Sequence, residues 1–423
     1  MAKILFVNTS DRSGGAARAA YRIYRGLQNL GIEANFFVKS KSQSEDESVV
    51  ELKQYTPKSI FYKVFSWSRT KVKNKIQHYK WGRYPNRESI YMSDMRSTAI
   101  HGALERIGCD IIHLHWINQR FLPLHELVKL GKPVVWTLHD SWAFCGVCHY
   151  FYGCEGYKKE CGSCPFLHSA DEDDLSHQVW RAKSEIYSKL DLHIVTPSRW
   201  LAKCAMQSSL FRNVPVTVIP NCLDSDLFIP VERDVAIKHW GLNTNKRYLL
   251  YGAMNAVNDS RKGFRELLEA LKIIENKQLF SDVELLVFGA DKPIDELNVG
   301  LPIQYLGYLS KELDLIMAYN AAELMVVPSL SENLSCAIME SLSCGTPVVC
   351  FNIGGNSDMV EHNINGYLAA ERNSADLANG IISVLKGGKA LFAKAARNRV
   401  LDHYTIDLVS SRYSDLYKSI LTK

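Results

Sequence analysis

The chain is 423 residues long, 47% hydrophobic and 22% charged, with a net charge of +5. That length suits two or three domains with full apolar cores. The mild charge does not point to nucleic acid, and the absence of any run of 18 apolar residues excludes a membrane-spanning helix. The opening apolar run breaks at Asn8, too early for a signal-peptide core. The expected compartment is therefore the cytoplasm, where the eleven cysteines serve as thiols or metal ligands rather than disulfides.

In chain order, KILFVN reads as a strand and SGGAARAAYRIYRGLQNLG as a helix stopping at Gly31, followed by the strand IEANFFV. This strand–glycine–helix–strand unit opens a doubly wound domain. Gly14 and Gly15 sit on its turn, where backbone N–H groups face an anion above the sheet. Residues 39–57 read as a polar surface loop. Residues 58–87 hold nine Lys or Arg and no acid, with aromatic residues interleaved. Three readings stand: a solvated helical face, an anionic membrane surface contact, and a nucleic-acid arm. A helix over 94–108 is followed by the strand CDIIHLHW, the helix FLPLHELVKLGK and the strand PVVWTLHD. His113, His115 and His139 lie near strand ends. Ligands bind beyond the carboxyl ends of such strands, which favours His115 and His139. Helices then alternate with strands to PVTVIPNCLD, and residues 227–243 read as a linker.

Between His139 and Pro165, five of the eleven cysteines fall within twenty residues. Cys148, Cys154, Cys161 and Cys164 follow C-x5-C-x6-C-x2-C, a spacing suited to a structural zinc tetrathiolate. Cys145 is left over, and His149 is a possible substitute ligand. Reduced buried thiols and redox disulfides are the competing readings. Four thiolates leave no open position for catalysis.

The second half repeats the β/α alternation. RYLLYGA opens it, Arg261 and Lys262 precede a helix, and residues 324–368 read LMVVPSLSENLSCAIMESLSCGTPVVCFNIGGNSDMVEHNINGYL. Two carboxylates, Glu332 and Glu340, flank or occupy a helix here. If both were helical they would lie about 12 Å apart along its axis. That suits two ends of one extended ligand rather than two acids working one glycosidic bond.

Glu332 and Glu340 with seven residues between them, then CGTPVV, then a Gly-Gly turn, resemble the signature of retaining glycosyltransferase family 4. The resemblance implies an α/β chain of the GT-B fold, with two Rossmann-like doubly wound parallel-sheet domains facing across a cleft. Residues 1–222 would form the acceptor domain and 223–405 the nucleotide-sugar domain, with a last helix, 406–423, crossing back to the first. By the same resemblance, Gly14 and Gly15 face the acceptor and donor phosphates, and His139, in TLHD, contacts the donor sugar. Lys262 binds the pyrophosphate, Glu332 holds the transferred sugar and Glu340 the ribose. The N–H groups around Asn333 and Leu334, placed at a helix start, add to phosphate binding. One departure is that the family's Arg shortly after the first strand of the second domain is replaced by Ala253 and Met254, so Arg261 is assigned its work. Asp358 is read as structural. No aspartate pair is read as a D-x-D metal motif, and the Arg261–Lys262 pair does a divalent ion's work. The implied activity is retaining transfer from a UDP- or GDP-sugar to a glycan or lipid-linked acceptor in cell-surface polysaccharide or lipopolysaccharide synthesis. Its place would be the cytoplasm or the inner face of the cell membrane, reached through residues 58–87, with no nucleic-acid partner. The alternative is a catalytically silent sugar-nucleotide or polysaccharide-binding scaffold on the same fold.

Overall fold

A computed structural model describes residues 2–42, 46–55, 80–88, 92–95, 97, 100, 102–253, 257–291 and 301–422. Most of the basic segment 58–87 and Met254 lie outside the described residues.

The chain forms two compact units. The first comprises residues 1–197, 201–219 and 411–423, and the second residues 198–200 and 220–410.

The first unit is built on strands β1 (Lys3–Ser10), β2 (Glu33–Ser40), β3 (Val49–Glu51), β4 (Ile111–Leu114), β5 (Val134–Thr137), β6 (Leu192–Thr196) and β7 (Val216–Val218). All pair in parallel, in the order β3-β2-β1-β4-β5-β6-β7. Strands β4, β5 and β6 are buried along their whole length. Parallel strands covered by helices on both faces need such unbroken apolar runs rather than alternation. The order reverses direction between β1 and β4, the switch point at which doubly wound sheets bind ligands.

Two expectations fail in this unit. The segment read as a polar loop contains β3, whose Val49 is buried on the sheet edge. The helix expected over 94–108 is confined, among the described residues, to Ala103–Ile107. Upstream of it, Met92 bridges to Cys148 and the Ser93 amide bonds Val147 O at 2.8 Å. Pairing with the cysteine-rich loop overrides local helix propensity there.

The second unit carries β8 (Arg247–Gly252), β9 (Val283–Phe288), β10 (Ile303–Gly307), β11 (Leu324–Val327), β12 (Val348–Phe351) and β13 (Gly366–Ala369). The order is β10-β9-β8-β11-β12-β13, again parallel, with a switch point between β8 and β11. Apolar clusters cover both faces of this sheet. The expected linker 227–243 instead contains the helix Arg233–Trp240, whose Ala236 and Ile237 are buried in one of those clusters. The last helix, Ile406–Leu421, passes from the second unit into the first. There Tyr413 and Tyr417 are buried, and their hydroxyls bond Thr137 Oγ1 and His113 Nδ1 at 2.9 and 2.7 Å.

Candidate active site

At the switch point of the second unit, two loops are zipped together. One follows β8 and ends in the turn Ser260–Lys262; the other follows β11 and carries Glu332. The Leu330 amide donates to Arg261 O at 2.7 Å. Gly263 has a φ of 70°, and a Cβ there would stand 1.8 Å from the Pro328 carbonyl oxygen. Only glycine permits both that left-handed turn and that approach. The result places Lys262 Nζ 3.0 Å from Glu332 Oε2, in an ion pair with about a fifth of each side chain exposed. Two residues singled out by sequence are thus brought together. Arg261 is committed differently: Asp259 accepts from its backbone N–H and holds its guanidinium, with Nε to Oδ1 at 3.0 Å and Nη2 to Oδ2.

Glu332 is not helical. The helix begins at Cys336 and runs to Ser343, with Ser335 as its cap. Asn333 and Leu334 therefore precede the helix start at which they were expected, and the axial spacing of two helical carboxylates does not apply. Leu334 is buried. Asn333 Oδ1 accepts from Ser198 Oγ at 2.7 Å. The Asn333 carbonyl accepts from the Gly355 amide at 2.9 Å. Added Cβ atoms at Gly354 and Gly355 would stand 1.8 and 2.1 Å from the carbonyl oxygens of Glu332 and Asn333. The Gly-Gly turn therefore clamps the Glu332 loop from behind. Glu340 lies within the helix, 3% exposed, and accepts from Tyr319 Oη at 3.0 Å. Asp358 accepts from the Arg199 amide and Nε at 2.7 and 3.0 Å.

In the first unit, Gly14 (φ 90°) stands at the start of the helix Gly15–Asn29 with no side-chain cap and no acid in the first turn. An added Cβ at Gly14 or Gly15 would meet nothing within 4 Å. The leading N–H groups and the positive end of the helix dipole thus face open space, as anion binding requires. Asp11, on the same turn, is fully buried. Its Oδ1 accepts from the Ser42 amide and hydroxyl, while Oδ2 has no partner among the described residues. Sequence reading passed over it; the available signal was an acid directly after an apolar strand.

Three histidines line the ends of β4 and β5. His113 Nε2 pairs with Thr137 Oγ1 at 2.8 Å, and His115 Nδ1 pairs with His139 Nε2 at 3.0 Å. Burial lowers the pKa of all three, that of His139 to about 4 with Asp140 opposing the shift. They are neutral at pH 7. His115 Nε2 is buried without a partner among the described residues. An orphaned acceptor costs less than an orphaned N–H, so the favoured tautomer protonates His115 at Nδ1, which donates to His139. His139 then carries its proton on Nδ1 and acts as a neutral donor.

Asp140 ties this strand end to the cysteine-rich loop. Its Oδ2 accepts from Trp116 Nε1 at 2.9 Å and His149 Nδ1 at 2.6 Å, and its Oδ1 accepts from the Trp142 amide at 2.9 Å. His149 Nε2 pairs with Ser93 Oγ at 2.9 Å. Both ring nitrogens of His149 are engaged, which removes it as a substitute metal ligand. Behind the loop, the fully buried Lys183 donates to the carbonyls of Trp142, Cys145 and Gly146. No motif in the sequence marks it.

The chain matches two family models, "Glycosyltransferase Family 4" over residues 13–227 and "Glycosyl transferases group 1" over residues 233–399. The first alone spans just over half of the chain, and the protein belongs to glycosyltransferase family 4. The chain is 26% identical over 248 residues to the putative colanic acid biosynthesis glycosyl transferase WcaC of Escherichia coli, covering 56% of this chain and 58% of the relative. It is 37% identical over 307 residues to a D-inositol 3-phosphate glycosyltransferase of a Mycobacterium species, covering 68% and 61%. The matched regions thus span about three fifths of these relatives. Among solved structures, sucrose-phosphate synthase from Thermosynechococcus elongatus superposes with a TM-score of 0.67 at 18% identity over all of both chains. Anabaena HepE, solved with UDP and glucose, gives 0.62 at 17% over 99% of this chain and all of that one. These likenesses establish the GT-B fold. No described helix is long and apolar enough to cross a membrane.

Proposed function

We propose that the chain is a retaining glycosyltransferase that moves a hexosyl group from a nucleoside diphosphate sugar to a glycan or lipid-linked acceptor in cell-surface polysaccharide synthesis. The observation that carries this reading is the Lys262–Glu332 pair at the switch point of the second sheet. A cation held ready beside a carboxylate, both part-exposed, suits a ligand that is anionic at one end and rich in hydroxyls at the other. On donor binding, Lys262 turns to the diphosphate and Glu332 accepts hydrogen bonds from the sugar. Glu340, already bonded to Tyr319, serves the ribose. Arg261 and the N–H groups around Asn333 and Leu334 complete the phosphate's surroundings, and in the first unit neutral His139 is a donor suited to a sugar hydroxyl.

No side chain is placed as a covalent nucleophile in this reading. The acceptor oxygen bonds the anomeric carbon on the face the diphosphate leaves, the carbon–oxygen bond to phosphate breaks, and the acceptor proton passes to the departing phosphate oxygen. Positive charge on that oxygen is the main electrostatic help, and Lys262 supplies it without a divalent ion. In the first unit, the open helix start at Gly14 and Gly15 suits a phosphate or an anionic acceptor group. The names of relatives support the setting. One is called a colanic acid enzyme, and another an α-1,3-galactosyltransferase acting on a diphosphoundecaprenol-linked sugar. An acceptor of that kind would place the protein at the inner face of the cell membrane.

The test is nucleotide release from a panel of UDP- and GDP-sugars. Slow hydrolysis by the wild-type chain, reduced about 100-fold or more in Lys262→Ala and also in Glu340→Ala, is the expected result. Nucleotide binding without turnover of any donor would favour a silent scaffold instead.

A further inference from the structure

The cysteine-rich loop is not used by the chemistry above. Residues 145–174 contain only two short turns of 3-10 helix, Gly156–Lys158 and Pro165–Leu167, with a third, Trp142–Phe144, just before them. Tyr152, Gly153, Cys161, Gly162, Ser163 and His168 all take left-handed φ values. So irregular a segment needs something besides secondary structure to hold it. The apolar cluster beneath it is small, centred on Val147, Leu167, Leu175 and Val179.

Cys145, Cys148, Cys154, Cys161 and Cys164 all line one cavity of about 20 Å³, room for about one water-sized or ion-sized body. All five are free thiols. Two of their sulfurs accept hydrogen bonds from backbone N–H groups. The Gly156 amide donates to Cys154 Sγ at 3.4 Å, and the Gly146 amide to Cys161 Sγ at 3.2 Å. Such N–H to sulfur bonds orient and stabilise ligating thiolates. The loop cannot relax away from these contacts cheaply: a Cβ at Gly146 would stand 2.4 Å from Ser176 O, and one at Gly162 2.3 Å from Glu172 O.

The fifth thiol has a different place. Cys145 is wholly buried and lines the same cavity as Cys148, where its S–H can serve a neighbouring thiolate without Cys145 being a ligand itself. Four thiolates on a divalent ion carry a net charge of −2. The buried Lys183 ammonium, fixed on the carbonyls of Cys145 and Gly146 at 2.9 and 2.8 Å, puts a cation beside that charge. Among the described residues no three such side chains already stand where they could share an ion. Closing the set takes rotation of thiols that face the same cavity.

We infer that Cys148, Cys154, Cys161 and Cys164 form a structural tetrathiolate site for zinc, with Cys145 as hydrogen-bond donor to Cys148 and Lys183 as the neighbouring cation. Zinc suits four sulfurs in tetrahedral array, and with no open position the ion braces the loop instead of reacting. Asp140 and His149 connect that loop to the His139 strand end, so the metal steadies a wall of the first unit. This inference stands apart from the transferase reading, because its readouts do not depend on turnover.

The full chain is purified under reducing conditions and its metal measured by mass spectrometry. The inference expects about one zinc per chain, less than about a tenth in Cys148→Ser and Cys164→Ser, and full retention in Cys145→Ser. Cobalt exchanged into the wild type should give an intense thiolate-to-metal charge-transfer band and the visible bands of a tetrahedral ion. Should the serine variants not fold, alkylation mapping of the wild type decides: the four ligand thiols should be protected and become reactive on adding a chelator, in parallel with zinc release. Less than about half an equivalent of zinc in the reduced wild type, an iron–sulfur chromophore, disulfides among these cysteines, or equal zinc loss in Cys145→Ser and Cys148→Ser would each overturn it.

Discussion

Gly263 shows how one residue sets the geometry of the site. Its φ of 70° and the 1.8 Å separation between an added Cβ and Pro328 O mean that any side chain must push the Lys262 turn off the β11 loop. Gly263→Ala is expected to destabilise the second unit by about 3 kcal/mol and to lower affinity for nucleoside diphosphates in the fraction that stays folded. Chemical denaturation followed by circular dichroism measures the first. Unchanged stability would mean the loops are not zipped as described. The residues of this site were legible as a set, because Lys262, Glu332, Glu340 and Gly354-Gly355 recur in an ordered pattern. Their physical roles were less so. The glycine pair was read only as a turn; it also clamps the Glu332 loop. Arg261 was read as a phosphate cation, and its grip by Asp259 was not foreseen, since a contact two residues away within a turn leaves no periodic trace. Asp11 and Lys183 are buried charges outside any motif, and only the folded chain reveals them.

At the scale of elements, the alternation of apolar strands with amphipathic helices was readable because parallel strands buried on both faces need continuous apolar runs. The failures share a cause. The short strand β3, the truncated helix at Ala103–Ile107 and the helix Arg233–Trp240 in an expected linker are all decided by packing partners far away in sequence. The cysteine-rich loop is the extreme case, and Lys183 is its main internal brace. Its three carbonyl acceptors are buried, so Lys183→Met leaves them without a donor. At about 1–3 kcal/mol per abandoned group before relaxation, the substitution should cost the first unit on the order of 3 kcal/mol. It should also speed proteolysis between residues 145 and 174. Limited proteolysis with mass-spectrometric mapping checks this; wild-type resistance in the variant would remove Lys183 from that role.

For the whole molecule, acid should act first on the histidine-bearing unit. His113, His115 and His139 have folded pKa values lowered from 6.5. The unfolded chain therefore binds more protons below about pH 6.5, and stability falls as pH drops from there toward the folded values, about 4 for His139. Above pH 6.5 the three contribute no pH dependence. The histidines should accordingly add no change in thermal stability between pH 7 and 8, and should lower the first transition by at least about 3 °C at pH 5. A first unit as stable at pH 5 as at pH 7 would show that these rings are not buried in neutral form.

The account rests on the second unit holding the diphosphate of the donor through Lys262. Calorimetric titration of the full chain with UDP and GDP, wild type against Lys262→Ala, tests that most directly. The prediction is measurable binding of at least one nucleotide by the wild type and an affinity at least about 10-fold weaker in the variant, a loss of about 1.4 kcal/mol, with the melting temperature unchanged. Equal affinity in the two proteins, or binding of neither nucleotide by the wild type, would contradict it.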